Sequence, residues 1–302
     1  MEGDRNGFQM GWLPDYPDFR DFTAESPPLA PVATGEPDVP ALLDRVGAMK
    51  PSAAAALEPA ADLRGGFPLV EDQGHLGSCT ANAAAGIIEY FERTAFGTHV
   101  DVSRLFVYKA TRNLMRVSGD TGAFLRTTMQ AMVSFGAPPE AYWPYDISRF
   151  DIEPSAFCYA FGQDYKAIQY YRYDPPGTDR DELLIRIKTN LASKLPSMFG
   201  FTVFNSYRQA DHTGAFPLPV PGERKSGGHA VVACGYDDKK EIINQSPGAK
   251  PTNGAFRIRN SWGTGWGEQG YGWLPYEYVR RSLAIDWWSL IKSSWIDSGA
   301  FG

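Results

Sequence analysis

The chain changes its local pattern halfway along, and that change limits the folds open to it. From residue 63 the first half reads as helices. Cys79 to Phe91 (CTANAAAGIIEYF) is Ala-rich, with Ile87, Ile88 and Phe91 at core spacing. A second helix is predicted from Ser103, a natural N-cap, to Arg116, and a third over Ala123–Phe135, stopped by Gly136. Beyond one helix near Asp181–Lys194, the second half offers short β-branched and aromatic runs between Gly, Pro and Asn turns. These are Tyr165–Tyr173, Met198–Val203, Ala230–Tyr236, Ala255–Arg259 and Tyr271–Leu274. Helices first and strands after predict an α+β fold of two lobes, helical over about 68–150 and β over about 151–302, with a cleft between them.

The region ahead of this body differs from it. Residues 1–62 carry 11 acidic and 4 basic side chains, a net of −7, whereas 63–302 carry 24 and 25, a net of +1. Prolines 14, 17, 27, 28, 31, 37 and 40 block regular helix, apart from a short one expected around Ala41–Met49 before an Ala-rich linker. Phe8, Trp12, Tyr16, Phe19 and Phe22 are too apolar for a solvated tail and want a surface to dock on. Residues 1–55 are therefore expected to be an acidic arm lying on a body of residues 56–302. A net charge of −6 gives no basic surplus for nucleic acid, and no run approaches the ~18 apolar residues of a membrane span. The opening residues lack a basic, then apolar, leader pattern, so a cytoplasmic location is expected, with non-classical export left open. Cys79, Cys158 and Cys234 form no CxxC pair, which predicts neither a disulfide framework nor a zinc site, and no cofactor is expected.

Three local patterns carry chemistry. Cys79 follows a glycine-bearing loop, Gln73-Gly74-His75-Leu76-Gly77-Ser78, and opens a helix whose positive end favours a thiolate. His229 begins an apolar strand behind Gly227 and Gly228, and a later strand ends in Asn260-Ser261-Trp262-Gly263. Taken singly, each is more often structural. In the order Cys, His, Asn they become a candidate nucleophile, base and orienting group.

This set resembles the papain family of cysteine peptidases over nearly all of residues 56–302. Asp62-Leu63-Arg64 with Pro68 looks like the start of the mature enzyme, and the six-residue Gln73-to-Cys79 interval matches the family pattern. The resemblance implies a papain-like two-lobe fold and peptide or protein substrates cut through an acyl-enzyme. Cys79 thiolate would attack, His229 would act as base and acid, Asn260 would orient the ring, and Gln73 would help form the oxyanion hole. It also implies that Gly122 pairs with substrate backbone, that Gly200, Gly228 and Ala230 shape a roomy pocket for a bulky apolar side chain, and that Trp262 shields the His229–Asn260 contact.

Two departures are visible. The family pattern C-G-[SA]-C-[WY] reads Leu76-Gly77-Ser78-Cys79-Thr80 here, so a typical disulfide partner is missing. Asn260 lies 181 residues after Cys79, farther than usual, and a turn-rich insertion over residues 237–254 is expected to account for the excess. Gly265 to Gly270 matches GxGxxG, but a strand follows where a dinucleotide site needs a helix. The arm is expected to act as an intramolecular inhibitor of a monomeric enzyme, with Trp12–Phe22 docked and Pro27–Pro40 crossing the cleft. A peptide-binding protein on the same fold, or an acyl transferase using an amine in place of water, would leave much the same sequence.

Overall fold

The structure, a computed structural model, describes residues 9–18, 21–23, 39–48, 57–163 and 169–302. Its architecture is α+β. The first helices are α1 (Val39–Arg45), α2 (Cys79–Phe96), α3 (Arg104–Met115) and α4 (Leu125–Phe135). Ser103 caps α3 by accepting the Phe106 amide, and Gly97 ends α2 in the left-handed conformation. A short α5 (Ala156–Gly162) follows, then α6 (Arg180–Ala192) under the Asp179 cap, with α7 (Glu277–Arg280) and α8 (Ser293–Ile296) near the end.

A seven-stranded sheet forms the other layer. Its strands are β2 (Ala60–Asp62), β4 (Gln169–Arg172), β5 (Ser197–Phe204), β6 (Lys225–Ile242), β7 (Thr252–Arg259), β8 (Tyr271–Pro275) and β9 (Ala284–Ile291). Their order is β4-β9-β5-β6-β7-β8, with β2 added against β6, and every pairing is antiparallel. A separate two-stranded parallel pair joins β1 (Trp12–Leu13) of the arm to β3 (Ala123–Phe124), just ahead of α4.

The site is positioned by α2 against β6. From Cys79 to Phe91 every residue of α2 is buried. Its alanines let the helix lie close on the sheet, removing apolar surface from water at roughly 25 cal/mol per Å². The N-terminus of α2 therefore meets the His229 end of β6, and β7 delivers Asn260 at its own end.

Three expectations change. The turn-rich insertion expected over residues 237–254 is strand at its two ends: β6 runs on to Ile242, Glu241 and Ile242 pair with Asn253 and Thr252, and the turns are confined to residues 243–251 at the tip of the hairpin. The final helix of the arm starts earlier, at Val39, with Pro40 in its first turn where a missing N–H costs nothing. β9, the neighbour of β5, is not among the strands the sequence predicts. The expected passage of Pro27–Pro40 over the cleft, the Ala-rich linker, Phe8, Phe19 and the start of the Tyr165–Tyr173 strand fall on, or almost wholly on, residues outside the described ones.

Candidate active site

Cys79 is the first residue of α2 and is fully buried, as is His229 on β6. The Ala230 backbone amide faces the Cys79 thiol, which sets the residue next to His229 directly on the sulfur. His229 Nε2 lies 2.8 Å from Asn260 Oδ1. That oxygen also accepts the Ser261 amide at 2.8 Å, which identifies it as the carbonyl end of the side chain. Nε2 must then be the donor, leaving Nδ1 unprotonated on a neutral ring. Nδ1 has no hydrogen-bond partner among the described residues, so it is a free base inside the protein. Trp262 stacks on the ring, centroids 4.6 Å apart and planes 22° from parallel.

Gln73 sits on the other side of the nucleophile loop. Its backbone amide donates to Ser261 O at 2.8 Å, and its Oε1 accepts from Ser261 Oγ at 2.5 Å. With Oε1 so held, Nε2 must face the loop, where it donates to Leu76 O at 2.8 Å and to Gln9 O at 3.0 Å. Ser261 thus ties the orienting asparagine to the glutamine amide, a connection the sequence motif alone did not suggest. Asp120 supports the loop from outside by accepting the Gly77 amide and the Tyr108 hydroxyl.

The arm occupies this place. Gln9 offers its carbonyl to Gln73, the Gly11 amide faces the Cys79 thiol, and the Gly11 carbonyl accepts from the Ala123 amide at 2.8 Å. The fit at Gly11 admits no side chain: a Cβ there would lie 1.9 Å from the Gly77 carbonyl oxygen. Gly122, at φ +74°, is equally tight, with the Gly11 carbonyl oxygen 2.2 Å from where its Cβ would be. Trp12, only 5% exposed, lies on Gly200 and Gly228. The predicted pairing and pocket residues Gly122, Gly200, Gly228 and Ala230 are therefore brought together around one segment. Trp262 faces His229. The expectation that Trp12–Phe22 docks is met at Trp12 and at Phe22, whose ring meets Tyr170 edge-on, and fails at Tyr16, which is 89% exposed; docking also extends upstream, since residues 9–12 fill the cleft.

Burial shifts the titration of both Cys79 and His229. It pushes the Cys79 thiol up to about 11, against the Ala230 and Gly11 amides that favour the thiolate. It pushes His229 down to about 4, with only the Asn260 contact opposing. Burial therefore opposes the thiolate expected from the helix end. A surface cavity of about 610 Å³ lies elsewhere, lined by Arg64, Phe67, Leu69, Arg93 and Tyr271, and includes none of these residues. Among the described residues no group of three His, Cys, Asp or Glu side chains could hold a metal ion.

Comparison with known proteins gives a family match and solved structures of similar fold. A family model described as papain family cysteine protease matches residues 59–282. An uncharacterized peptidase C1-like protein of Acanthamoeba polyphaga mimivirus is 35% identical over 223 residues, 72% of this chain and 68% of that protein. Cysteine proteases and cathepsin L-like peptidases from mites, plants, insects and a fluke share 22–26% identity, and the chain spans 50–60% of their lengths. Among solved structures, xylellain, a cysteine protease from Xylella fastidiosa, superposes with a TM-score of 0.70 at 32% identity, covering 94% of this chain and 96% of that one. A digestive procathepsin L of Tenebrio molitor matches in fold, with a TM-score of 0.59 at 19% identity, covering 80% of this chain and 72% of its own.

Proposed function

We propose, from the premise that this chain belongs to the papain family of cysteine proteases, that it cuts peptide bonds with Cys79 and His229 and is held inactive by residues 9–23. The observation that carries this reading is the seat of the arm: the Gln9 carbonyl takes the Gln73 amide donor while Gly11 and Trp12 cover the thiol and the pocket. The arm stands where a substrate backbone would stand.

With the arm displaced, water returns to the cleft, the thiol becomes easier to ionise and the imidazole easier to protonate. Cys79 Sγ gives its proton to His229 Nδ1 and attacks the peptide carbonyl carbon. The carbonyl oxygen gains negative charge, and the Gln73 Nε2 and Cys79 backbone N–H groups are the donors for it. His229 passes its proton to the departing amine, the C–N bond breaks, and an acyl group remains on Cys79. His229 then takes a proton from water, the hydroxide attacks the acyl carbon, and the acid leaves as Cys79 is restored. Asn260 holds Nε2–H throughout, so the proton is always delivered through Nδ1.

Expected substrates are peptides and proteins. The test uses the full chain carrying Gly11→Leu, which the Gly77 carbonyl excludes from the cleft. Against a mixed peptide library it should cleave at least roughly tenfold faster than the parent chain, and adding Cys79→Ser should remove the activity. Equal rates for the parent and Gly11→Leu chains, with the fold intact by circular dichroism, would refute control by the arm. Activity surviving Cys79→Ser would refute the nucleophile.

A further inference from the structure

Every hydrogen-bond acceptor that Arg126 meets among the described residues belongs to the arm. This second residue of α4 donates through Nε to Asp21 Oδ1 at 2.6 Å and through Nη2 to Asp21 Oδ2 at 2.8 Å. Nη2 also reaches the Tyr16 carbonyl at 2.7 Å, and Nη1 reaches Asp15. The body contributes the Trp288 ring, whose centroid lies 5.8 Å from the guanidinium, but no acceptor. Even under the arm the Arg126 side chain is 17% exposed.

Its position continues the cleft. β1 runs parallel to β3, with Trp12 beside Ala123 and Leu13 beside Phe124, and the Ala123 amide holds the Gly11 carbonyl at 2.8 Å. Arg126 stands two residues beyond Phe124, in the first turn of the helix that β3 leads into. Along the arm the order is Gly11 at the thiol, Trp12 in the pocket and Asp15 on Arg126. Three residues of chain reach at most about 11 Å, so the cation lies within a few residues of the pocket. The pocket itself, expected to be apolar, ends on a carboxyl group: Trp12 Nε1 donates at 3.1 Å to Oδ2 of Asp286, on the bulge where β9 shifts register against β5. The start of α4 adds to the pull on an anion, since its first turn carries no acidic residue and no side chain caps its amides.

We propose that Arg126 is a substrate subsite of the open enzyme, taking the carboxylate of an aspartate or glutamate that lies one to three residues past the pocket residue, on the side away from the scissile bond. This rests on the reading that the arm leaves the cleft for catalysis. When Asp15 and Asp21 withdraw, they leave a planar fork, resting over Trp288, whose donors have no acceptor in the described body. A carboxylate matches that fork with two parallel hydrogen bonds, as Asp21 does on Nε and Nη2, whereas an amide side chain offers one neutral acceptor. Arg172, which also binds Asp21, does not compete for the substrate acid, because it keeps Asp174 at 2.9 Å and Asp286 at 3.4 Å. The acids of the arm thus occupy the place of a substrate's acid.

The experiment uses the full chain with Gly11→Leu to clear the cleft, and Asp15→Ala with Asp21→Ala to clear Arg126. Fluorogenic peptides carry Glu, Gln or Lys at one, two or three residues past the pocket position and are otherwise identical. At one of these positions, at low salt, the Glu peptide should exceed its Gln counterpart roughly three- to tenfold in kcat/KM, chiefly through KM, with Lys lowest. The gap should narrow in about 0.5 M salt. Adding Arg126→Gln should bring the Glu-to-Gln ratio to about one, and Arg126→Lys, which keeps the charge without the fork, should leave part of it. Glu and Gln peptides cleaved equally at all three positions would overturn the proposal, with no need for an Arg126 variant to fold. So would a Glu preference that survives Arg126→Gln in a folded chain. If no peptide is cleaved, the peptidase reading fails separately. Fluorescence anisotropy of the same peptides on the chain that also carries Cys79→Ala then decides the subsite: tighter binding of Glu than of Gln sustains it, and equal binding overturns it.

Discussion

The arm covers two neighbouring places, and the protein handles burial differently in each. At Cys79 and His229 it removes charge: the thiol is pushed up to about 11 and the imidazole down to about 4, so the pair is neutral through the physiological range. Around Arg172 it pairs charge, although burial there also raises the Asp174 carboxyl and pushes Asp286 up to about 7. Arg172 is 1% exposed and lies among Asp21, Asp174 and Asp286, while Arg126 binds Asp15 and Asp21 of the arm. The difference teaches what the proposed release of the arm would do to each. The neutral pair would regain charge and become reactive, whereas the cluster around Arg172 would lose the Asp21 carboxylate and the Trp12 donor.

Gln73 touches the arm and the place where a substrate oxyanion would form, so it sets the upper scale for the reactive side. In the Gly11→Leu chain, Gln73→Ala should cost roughly 10²–10³ in kcat, measured on a fluorogenic peptide, while Cys79 alkylation stays close to that of Gly11→Leu alone. A loss of alkylation together with kcat would mean that Gln73 shapes the thiol and not the oxyanion.

Alkylation tests the charge comparison directly. At pH 7 a thiol titrating near 11 is about one part in 10⁴ thiolate, so iodoacetamide should label Cys79 of the parent chain very slowly. The Gly11→Leu chain should react roughly 10²-fold faster or more. The sign follows from the shifts: covering raises the thiol, so its reaction in the parent chain climbs only as pH rises towards 11, whereas the uncovered thiol reacts at lower pH. Identical pH profiles for the two chains, resolved at Cys79 by mass spectrometry, would break the contrast drawn here.

The smallest effect is expected from the latch. Asp21→Asn weakens the bonds to Arg126 and Arg172 without touching the cleft, and should raise the activity of the full chain by about tenfold, the effect of losing roughly one charged hydrogen bond. No change would show that residues 9–13 hold the arm by themselves.

Much of this was legible in the sequence, and for a physical reason. Cys79, His229, Asn260 and Gln73 stand in short local motifs whose glycines and strand ends can be read in order, and α2 and α3 announce themselves by spacing and cap. The seat of the arm was misplaced because composition shows that prolines and aromatics must lie on something, but not where a five-residue segment without bulk at Gly11 will fit. Asp286 stayed hidden for a related reason. It interrupts the apolar run Ala284–Ile291 that forms β9, and its role depends on a register shift against β5, nearly ninety residues earlier. Ser261 could have been found, since it stands inside the Asn260 motif, but its partner Gln73 is 188 residues away.

The latch also fixes how inhibition responds to concentration. Asp15 and Asp21 grip Arg126 and Arg172 a few residues beyond the plug, and the Phe22 carbonyl accepts the Arg172 amide at 2.7 Å. When residues 9–13 lift, they remain on a short leash, at an effective concentration that a short flexible link sets in the millimolar range. On the inhibition proposed above, dilution would leave the enzyme as silent as before, and a free peptide would have to approach that concentration to compete. Its activity would then answer to events along one chain, cleavage of the leash or neutralisation of its acids.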